Sequence, residues 1–152
     1  MPRRGAQLFL SGSCKAFPSP KDWDVTIFSP LPLPMTLLAA TGAVVWSIET
    51  DGYVNATPAV SDGIVAVGGC DGQVRIIDAV SGRQIRAAEA GSYVAVAGAL
   101  EDGRFYVGNY GGEVLCVDVG SCQILWRYNA KEGFFSSPSI SHGRLVIGCR
   151  DK

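Results

Sequence analysis

Short apolar segments alternate with turn residues from residue 41 to the end of the chain. The segments are rich in valine and isoleucine, and dipeptides such as Asp62-Gly63 and Asp102-Gly103 separate them. No stretch keeps the apolar period near 3.6 residues that indicates a helix. An Asp-Gly pair between two such segments is typical of a tight hairpin turn. The pattern therefore predicts an all-β structure of short antiparallel strands.

The predicted strands recur at an interval of 40 residues. Two series of glycines keep this interval: Gly63, Gly103 and Gly143, and Gly68, Gly108 and Gly148. We expect positive φ in the first series and a bulge or close packing of a neighbouring backbone in the second. The predicted strands span residues 55–61, 64–68, 73–78, 83–88, 94–100, 104–108, 113–118, 123–128, 135–141 and 144–148. Four antiparallel strands per 40 residues is the unit of a β-propeller blade.

The number of repeats is too small for a closed ring. Residues 41–152 amount to about 2.8 periods, whereas known propellers close with four to eight blades. We therefore expect an all-β fold of antiparallel four-stranded blades in an incomplete ring of about 2.8 blades. Either the chain is a fragment of a longer repeat protein, or several copies assemble. Open strand edges and apolar blade faces predict self-association.

Residues 1–40 do not join the repeat. Five prolines (Pro18, Pro20, Pro30, Pro32 and Pro34) interrupt any long helix or central strand, so an irregular leader is expected there, with disorder left open. Arg3-Arg4 and the apolar residues 8–10 do not make a convincing signal peptide, because the apolar run is too short. Prolines and threonines also interrupt residues 31–48, which argues against a membrane span.

Composition and charge exclude several classes of function. The formal net charge is −1 and no basic face is visible, which argues against binding of nucleic acid. Five cysteines without CxxC spacing and the single histidine, His142, make a poor set of metal ligands. Cys116 and Cys122 could form a disulfide across a turn, although small buried thiols are the favoured interpretation.

No group of residues predicts a catalytic, cofactor-binding or metal site. Asp78 and Asp118 could be a pair of carboxylates for acid–base chemistry, but they occupy the same position in successive repeats. We therefore expect each of them to serve its own turn. His142 aligns with Asp62 and Asp102 before a glycine, which favours a turn residue over a catalytic base.

The junction between the third and fourth strands has the pattern Asp-x-x-x-Gly-x-x-x-Trp. It resembles the tryptophan-docking repeat of quinoprotein-type propellers, also called pyrroloquinoline-quinone-like repeats. Its partial matches are Gly42 and Trp46, Asp78 and Gly82, and Asp118 and Trp126. Two positions depart from it, because Arg86 replaces the tryptophan of the middle copy and Cys122 replaces the glycine of the last copy.

The resemblance implies a structural role for the matching residues. In that family the tryptophan of the outer strand packs against the adjacent blade, so Trp46, Asp78, Gly82, Asp118 and Trp126 are expected to be structural positions. The family includes quinone-dependent dehydrogenases and noncatalytic propellers of the outer-membrane assembly type. The alcohol-type dehydrogenases have a vicinal cysteine pair and acidic calcium ligands, and this chain has no Cys-Cys pair.

The expected function is therefore a noncatalytic interaction scaffold without a cofactor. Loops and blade edges would contact other proteins. The alternative is a fragment of a quinone-dependent dehydrogenase whose active site is not contained in this chain. The resemblance implies the bacterial periplasm or cell envelope, but the leader does not support export, so the localisation is left open.

Overall fold

The fold consists of short antiparallel strands arranged in successive sheets. The structure is a computed structural model that describes residues 24–28, 34–38 and 40–151. These residues form thirteen strands in four sheets, with no helix among them. We name the sheets blades 1 to 4 in chain order. Their strands are β1 Asp24–Phe28, β2 Pro34–Leu38 and β3 Val44–Ser47; β4 Ala59–Ser61, β5 Ile64–Gly68, β6 Gln73–Asp78 and β7 Gln84–Glu89; β8 Ala99–Glu101, β9 Arg104–Gly108, β10 Glu113–Asp118 and β11 Ile124–Asn129; and β12 Ser139–Ser141 and β13 Arg144–Val146.

The predicted all-β fold with antiparallel four-stranded sheets is confirmed. In blades 2 and 3 the strands lie side by side in chain order. The bounds predicted for β5, β6, β9 and β10 agree with the structure. The first strand of each blade is shorter than predicted, since β4 and β12 have three residues each. Pro58 and Pro138 directly precede these strands and have no N–H for the strand ladder.

Blade 1 shows that the repeat begins earlier than the sequence pattern indicates. β1 and β2 lie within residues 1–40, where an irregular leader is expected, and that expectation is wrong for residues 24–28 and 34–38. β1 begins 40 residues before β5, and the pairing of Thr36 with Trp46 repeats that of Ile76 with Arg86. Pro34 is compatible with β2 because a strand tolerates proline as its first residue.

The described strands therefore extend beyond the expected 2.8 blades. Two complete blades lie between a three-stranded blade 1 and a two-stranded blade 4. Apart from residue 40, the remaining residues of the expected leader lie outside the described residues. Disorder there, and the division of the chain at residue 41, stay predictions.

The core consists of two layers of side chains between neighbouring blades. The layer between blades 1 and 2 contains Trp46, Val54, Ala56, Val65, Val67 and Ile77. The layer between blades 2 and 3 includes Ala66, Val74 and Ile76 facing Phe105, Val107, Leu115 and Val117. Valines and isoleucines on both faces of the second and third strands account for this arrangement, because each face is covered by a different neighbour.

The hairpin between β4 and β5, the first and second strands of blade 2, has the turn residues and backbone conformation that the sequence predicts. Asp62 and Gly63 both have positive φ, at 52° and 75°, and Ser61 pairs with Ile64 across the turn. This is the combination that a two-residue type I′ turn requires. His142 has a φ of 51° in the equivalent turn of blade 4. His142 thus occupies the turn position that its alignment with Asp62 predicts.

The glycines that end the second strands allow the next blade to approach closely. A Cβ atom at Gly68 would lie 2.1 Å from Cγ1 of Val94, and one at Gly108 would lie 2.6 Å from Cβ of Phe134. Close packing is found at both glycines, but the neighbour is a side chain, so the expectation of a neighbouring backbone is wrong. The alternative of a bulge is not found there, because the register of blade 2 shifts between Ile76 and Ile77.

We predict that Gly68→Ala lowers the free energy of unfolding by about 1–3 kcal/mol, because the added methyl group overlaps the Val94 side chain. The measurement is urea denaturation. Combining Gly68→Ala with Val94→Ala should cost less than the sum of the single changes, since the smaller residue removes the overlap. Gly120→Ala is the matched control and should cost less than about 0.5 kcal/mol, because its only close neighbour is at 3.5 Å. Strict additivity would contradict this account.

Candidate functional site

Trp46 fastens blade 1 to blade 2. It lies on the outer strand β3, is 8% exposed, and donates a hydrogen bond from Nε1 to the carbonyl oxygen of Ala79 at 3.0 Å. Its ring covers Gly82, where a Cβ atom would lie only 2.5 Å from the indole. The first joint therefore depends on a large aromatic residue on one blade and a glycine on the next.

The turn that receives Trp46 is held by Asp78. Its carboxylate accepts hydrogen bonds from the Ser81 amide at 2.7 Å and the Ser81 hydroxyl at 2.6 Å, and the Gly82 amide donates to the Asp78 carbonyl. These hydrogen bonds lower the pKa of Asp78, and the bond from the Ser81 hydroxyl has the largest effect. Asp118 makes the same contacts with Ser121 in blade 3. The structure thus places each carboxylate in its own turn.

The joint between blades 2 and 3 has a different pair of residues. Arg86 stands on the outer strand β7 and is exposed, and Cys122 stands at the position of the receiving glycine. Cys122 is 8% exposed and has a φ of 58°, close to the 71° of Gly82. Burial raises the pKa of its thiol, with the Arg86 charge acting in the opposite direction. None of the described tryptophans covers this turn, so a side chain fits here, whereas at Gly82 it would clash with the Trp46 ring.

The joint between blades 2 and 3 contains a polar network that the sequence analysis did not identify. Arg127 donates to the carbonyl of Glu89 at 3.0 Å and to the carboxylate of Glu113 at 2.9 Å. Asn109, which is fully buried, donates to the carbonyl of Ala90 at 2.7 Å and to Glu113 at 2.9 Å. Side chains of blade 3 therefore hold the end of β7 in blade 2. The signal available in the sequence was that Asn109 stands where the neighbouring repeats have Gly69 and Cys149.

Trp126 is the counterpart of Trp46 in blade 3, but it is 43% exposed. Its ring lies 6.0 Å from that of Tyr106, measured between centroids, and no turn of another blade covers it among the described residues. It borders an open apolar groove between blades 3 and 4, lined by Val114, Trp126, Tyr128, Leu145, Val146 and Ile147. In the corresponding position between blades 1 and 2 and between blades 2 and 3, buried side chains fill the space.

Loops at one end of the blades form a continuous surface, which we call the loop face. It comprises the connections between blades and those between second and third strands, namely residues 49–56, 69–72, 89–96, 109–112 and 130–136. Backbone hydrogen bonds join these loops: the amide of Cys70 donates to the carbonyl of Tyr53 at 2.8 Å, and the amide of Tyr110 donates to that of Tyr93 at 2.9 Å. The exposed aromatic residues of this face are Tyr53, Tyr93, Tyr110 and Phe135.

A buried ion pair supports the loop face in blade 2. Arg75 is 6% exposed, and its guanidinium binds the carboxylate of Asp71 through both terminal nitrogens. The Gln73 amide also donates to Asp71, at 3.1 Å. Burial alone would raise the pKa of Asp71, but the hydrogen bonds and charge of Arg75 outweigh it, so the pKa is lowered.

The thiols do not form the disulfide that the sequence left open. Cys116 and Cys122 are both free and buried, so the alternative of a bond between them is wrong. Cys116 lies on β10 opposite Trp126, and burial raises the pKa of its thiol. Both residues fill space as small apolar side chains.

The described residues do not include a cluster of side chains suited to a metal ion. No group of three or more histidine, cysteine, aspartate or glutamate side chains among them could hold a metal ion. Asp78 and Asp118, the repeated carboxylates, are engaged by the serines of their turns. None of the described residues belongs to a helix long and apolar enough to cross a membrane.

The repeated blades, their tryptophan and glycine joints and their turns define a propeller built from pyrroloquinoline-quinone-like repeats. A family model described as outer membrane protein assembly factor BamB matches residues 32–93 and residues 86–152. The matches cover well over half of the chain, which therefore belongs to this family. No curated protein sequence matches the chain.

Solved structures show the same fold. BamB from Moraxella catarrhalis is similar with a TM-score of 0.73 at 19% identity, over 83% of this chain and 40% of that chain. The computationally designed protein Ika8 has a TM-score of 0.76 at 23% identity, over 88% and 42%. A quinohemoprotein alcohol dehydrogenase from Pseudomonas putida HK5 has a TM-score of 0.65 at 22% identity, over 71% and 19%. The chain thus matches less than half the length of each structure.

We predict that Trp46→Ala lowers the free energy of unfolding by about 3–5 kcal/mol, because it empties a covered site and removes the hydrogen bond to Ala79. Trp126→Ala is the matched control from the equivalent position and should cost less than about 1 kcal/mol, because that side chain is already exposed. Urea denaturation of both variants measures the difference. Equal costs would show that Trp46 does not fasten the first joint.

We predict that the Asp71–Arg75 pair makes stability depend on pH at the acidic end. Because folding lowers the pKa of Asp71 from 3.8, its contribution is complete above that value and is lost as the pH falls through the folded pKa. The free energy of unfolding of wild type minus that of Asp71→Asn should therefore shrink on acidification from about pH 6 to below pH 4. A difference that stays constant over this range would contradict the assignment.

Proposed function

We propose that this chain is part of a noncatalytic propeller scaffold that binds other proteins through its blade edges and loops. The fold and the family are those of a BamB-type propeller. The observation that carries the proposal is the difference between two equivalent tryptophans. Trp46 is covered by the next blade at 8% exposure, whereas Trp126 is 43% exposed beside an open apolar groove.

An exposed indole beside an apolar groove marks a surface suited to contact with protein. Large exposed apolar patches on soluble proteins are commonly interaction sites, and tryptophan is among the residues that contribute most to such contacts. The groove continues with the side chains of Tyr128 and Val146, which are 61% and 70% exposed. We infer that further protein covers this groove, either additional blades of a longer product or a separate partner.

The limited length of the match supports a role as part of a larger propeller. The matched region corresponds to 40% of the BamB structure and 42% of the designed protein Ika8. In the alternative, a quinone-dependent dehydrogenase, the active site would lie outside this chain. The likeness to the alcohol dehydrogenase is a likeness of fold at 22% identity, and the described residues do not offer its ligands.

The test is site-specific photo-crosslinking of the full-length product in its own cells. A photoreactive phenylalanine derivative at Tyr128, beside the groove, should give a discrete adduct with another protein or within the longer product. The same derivative at Val80, which is 80% exposed in a turn away from the groove, is the control and should give none. Trp126→Ala should abolish the adduct at Tyr128.

Two results would overturn this proposal. One is the absence of any adduct at Tyr128, or an equal adduct at Val80. The other is reduction of an electron-accepting dye by the full-length product after reconstitution with the quinone and calcium, which would favour the dehydrogenase.

A further inference from the structure

Two of the four exposed aromatic residues of the loop face, Tyr53 and Tyr93, occupy equivalent positions in successive repeats. Tyr53 and Tyr93 stand exactly one repeat apart and are 61% and 60% exposed. We infer that they bind a basic, extended segment of a partner protein by receiving its cationic side chains on their rings. The inference rests on the proposed scaffold function and specifies the chemistry of the partner.

The loops hold both tyrosines in equivalent, fixed positions. The carbonyl of Tyr53 accepts a hydrogen bond from Cys70, and the carbonyl of Tyr93 accepts one from Tyr110. The neighbouring residues Val54 and Val94 are buried at 3% and 0% exposure, so each loop is anchored directly beside its tyrosine. A surface that is ordered before binding loses little conformational entropy when a partner attaches.

The charge around these tyrosines favours cations. Residues 49–55 and 89–95 contain Glu49, Asp51 and Glu89 and no lysine or arginine, and all three carboxylates are exposed. Neither Glu49 nor Asp51 belongs to an ion pair among the described residues. Glu89 accepts a hydrogen bond from the neutral amide of Gln73, and Arg127 contacts its backbone carbonyl but pairs with Glu113.

A contact between a cation and an aromatic ring occurs within the chain at the loop between blades 3 and 4, residues 130–136. The Arg150 guanidinium lies 5.2 Å from the centroid of the Phe135 ring. The Phe135 ring in turn packs against the Tyr110 ring, with 4.4 Å between the two centroids and a tilt of 40°. A cation within about 6 Å of a ring centroid is attracted by the negative face of the ring. At the first two loops no cation is found over the exposed ring among the described residues, and the nearby Arg75 and Arg127 are paired with Asp71 and Glu113. They therefore lack a cation over the ring, which Arg150 supplies to Phe135 from the segment that follows β13.

The spacing of the blades indicates an extended partner. Packed sheets lie about 10 Å apart, and three residues of an extended chain in the polyproline II conformation span about 9 Å with side chains i and i+3 on the same face. A segment with an arginine at every third position can therefore place successive side chains on Tyr53 and Tyr93. The acidic surroundings disfavour a phosphate-bearing ligand, which would be repelled by Glu49 and Asp51.

The test is calorimetric titration at low salt with a twelve-residue peptide that has arginine at every third position and glycine or serine elsewhere. A peptide of the same sequence with citrulline in place of arginine keeps the shape and removes the charge. We expect the arginine peptide to bind and the citrulline peptide not to bind. Tyr53→Ala with Tyr93→Ala should weaken binding about five- to thirtyfold, as expected for the loss of two cation–π contacts.

Two variants distinguish the rings from general effects. Tyr53→Phe with Tyr93→Phe keeps both rings and should retain binding to within about threefold, because the ring face supplies the attraction. Val80→Ala is the control, since Val80 is 80% exposed but lies in the turn between β6 and β7, away from both the loop face and the groove. It should bind as wild type does.

Several results would overturn the inference. These are equal binding of the citrulline peptide, unchanged binding by the double alanine variant, equal loss in Val80→Ala, or no binding at all. Displacement of the peptide by a neutral oligosaccharide with higher affinity would also overturn it and would assign the tyrosines to sugar binding. If the adduct at Tyr128 persists in the double alanine variant while the peptide fails, the scaffold proposal stands and only this inference is lost.

Discussion

Burial of both faces of a blade by its two neighbours is the constraint on which this structure depends. A sheet whose second and third strands are apolar on both sides is not stable alone in water, because each face needs a cover. The layers between blades 1 and 2 and between blades 2 and 3 provide that cover. The glycines that end the second strands bring the covering segment close enough to fill each layer. The open groove beside Trp126 is the place where this requirement is not met within the described residues.

The joints between blades meet the same requirement by different means. The first joint buries an indole over a glycine and adds one hydrogen bond. The second joint has no tryptophan, and the network of Asn109, Glu113 and Arg127 binds carbonyl groups at the end of the preceding blade instead. A buried asparagine is stabilising only when its polar atoms are all paired, and no buried side-chain nitrogen or oxygen among the described residues lacks a partner.

Much of the fold was predictable from the sequence because glycine and the Asp-Gly turns leave a strong local signal. The strands β5, β6, β9 and β10 were placed correctly since tight turns bound them. β1 and β2 were missed because the glycines of the repeat are absent there, and Pro34 argued against a strand that it in fact begins. The polar network and the Asp71–Arg75 pair were not predicted, because the pairs of residues that form them are not repeated: Arg75 aligns with Leu115, and Asn109 aligns with Gly69 and Cys149.

Cys122 carries a side chain where the equivalent Gly82 has none, so the two turns are not interchangeable. Its side chain occupies the space that the Trp46 indole requires over Gly82, so an outer strand bearing tryptophan would not fit on the turn of blade 3. Copying or exchanging a repeat within the gene would bring such mismatched surfaces together. The order of the blades along this chain is therefore constrained by stereochemistry. A repeat protein can in principle gain or lose units, but at the joint between blades 2 and 3 such a change would create a clash.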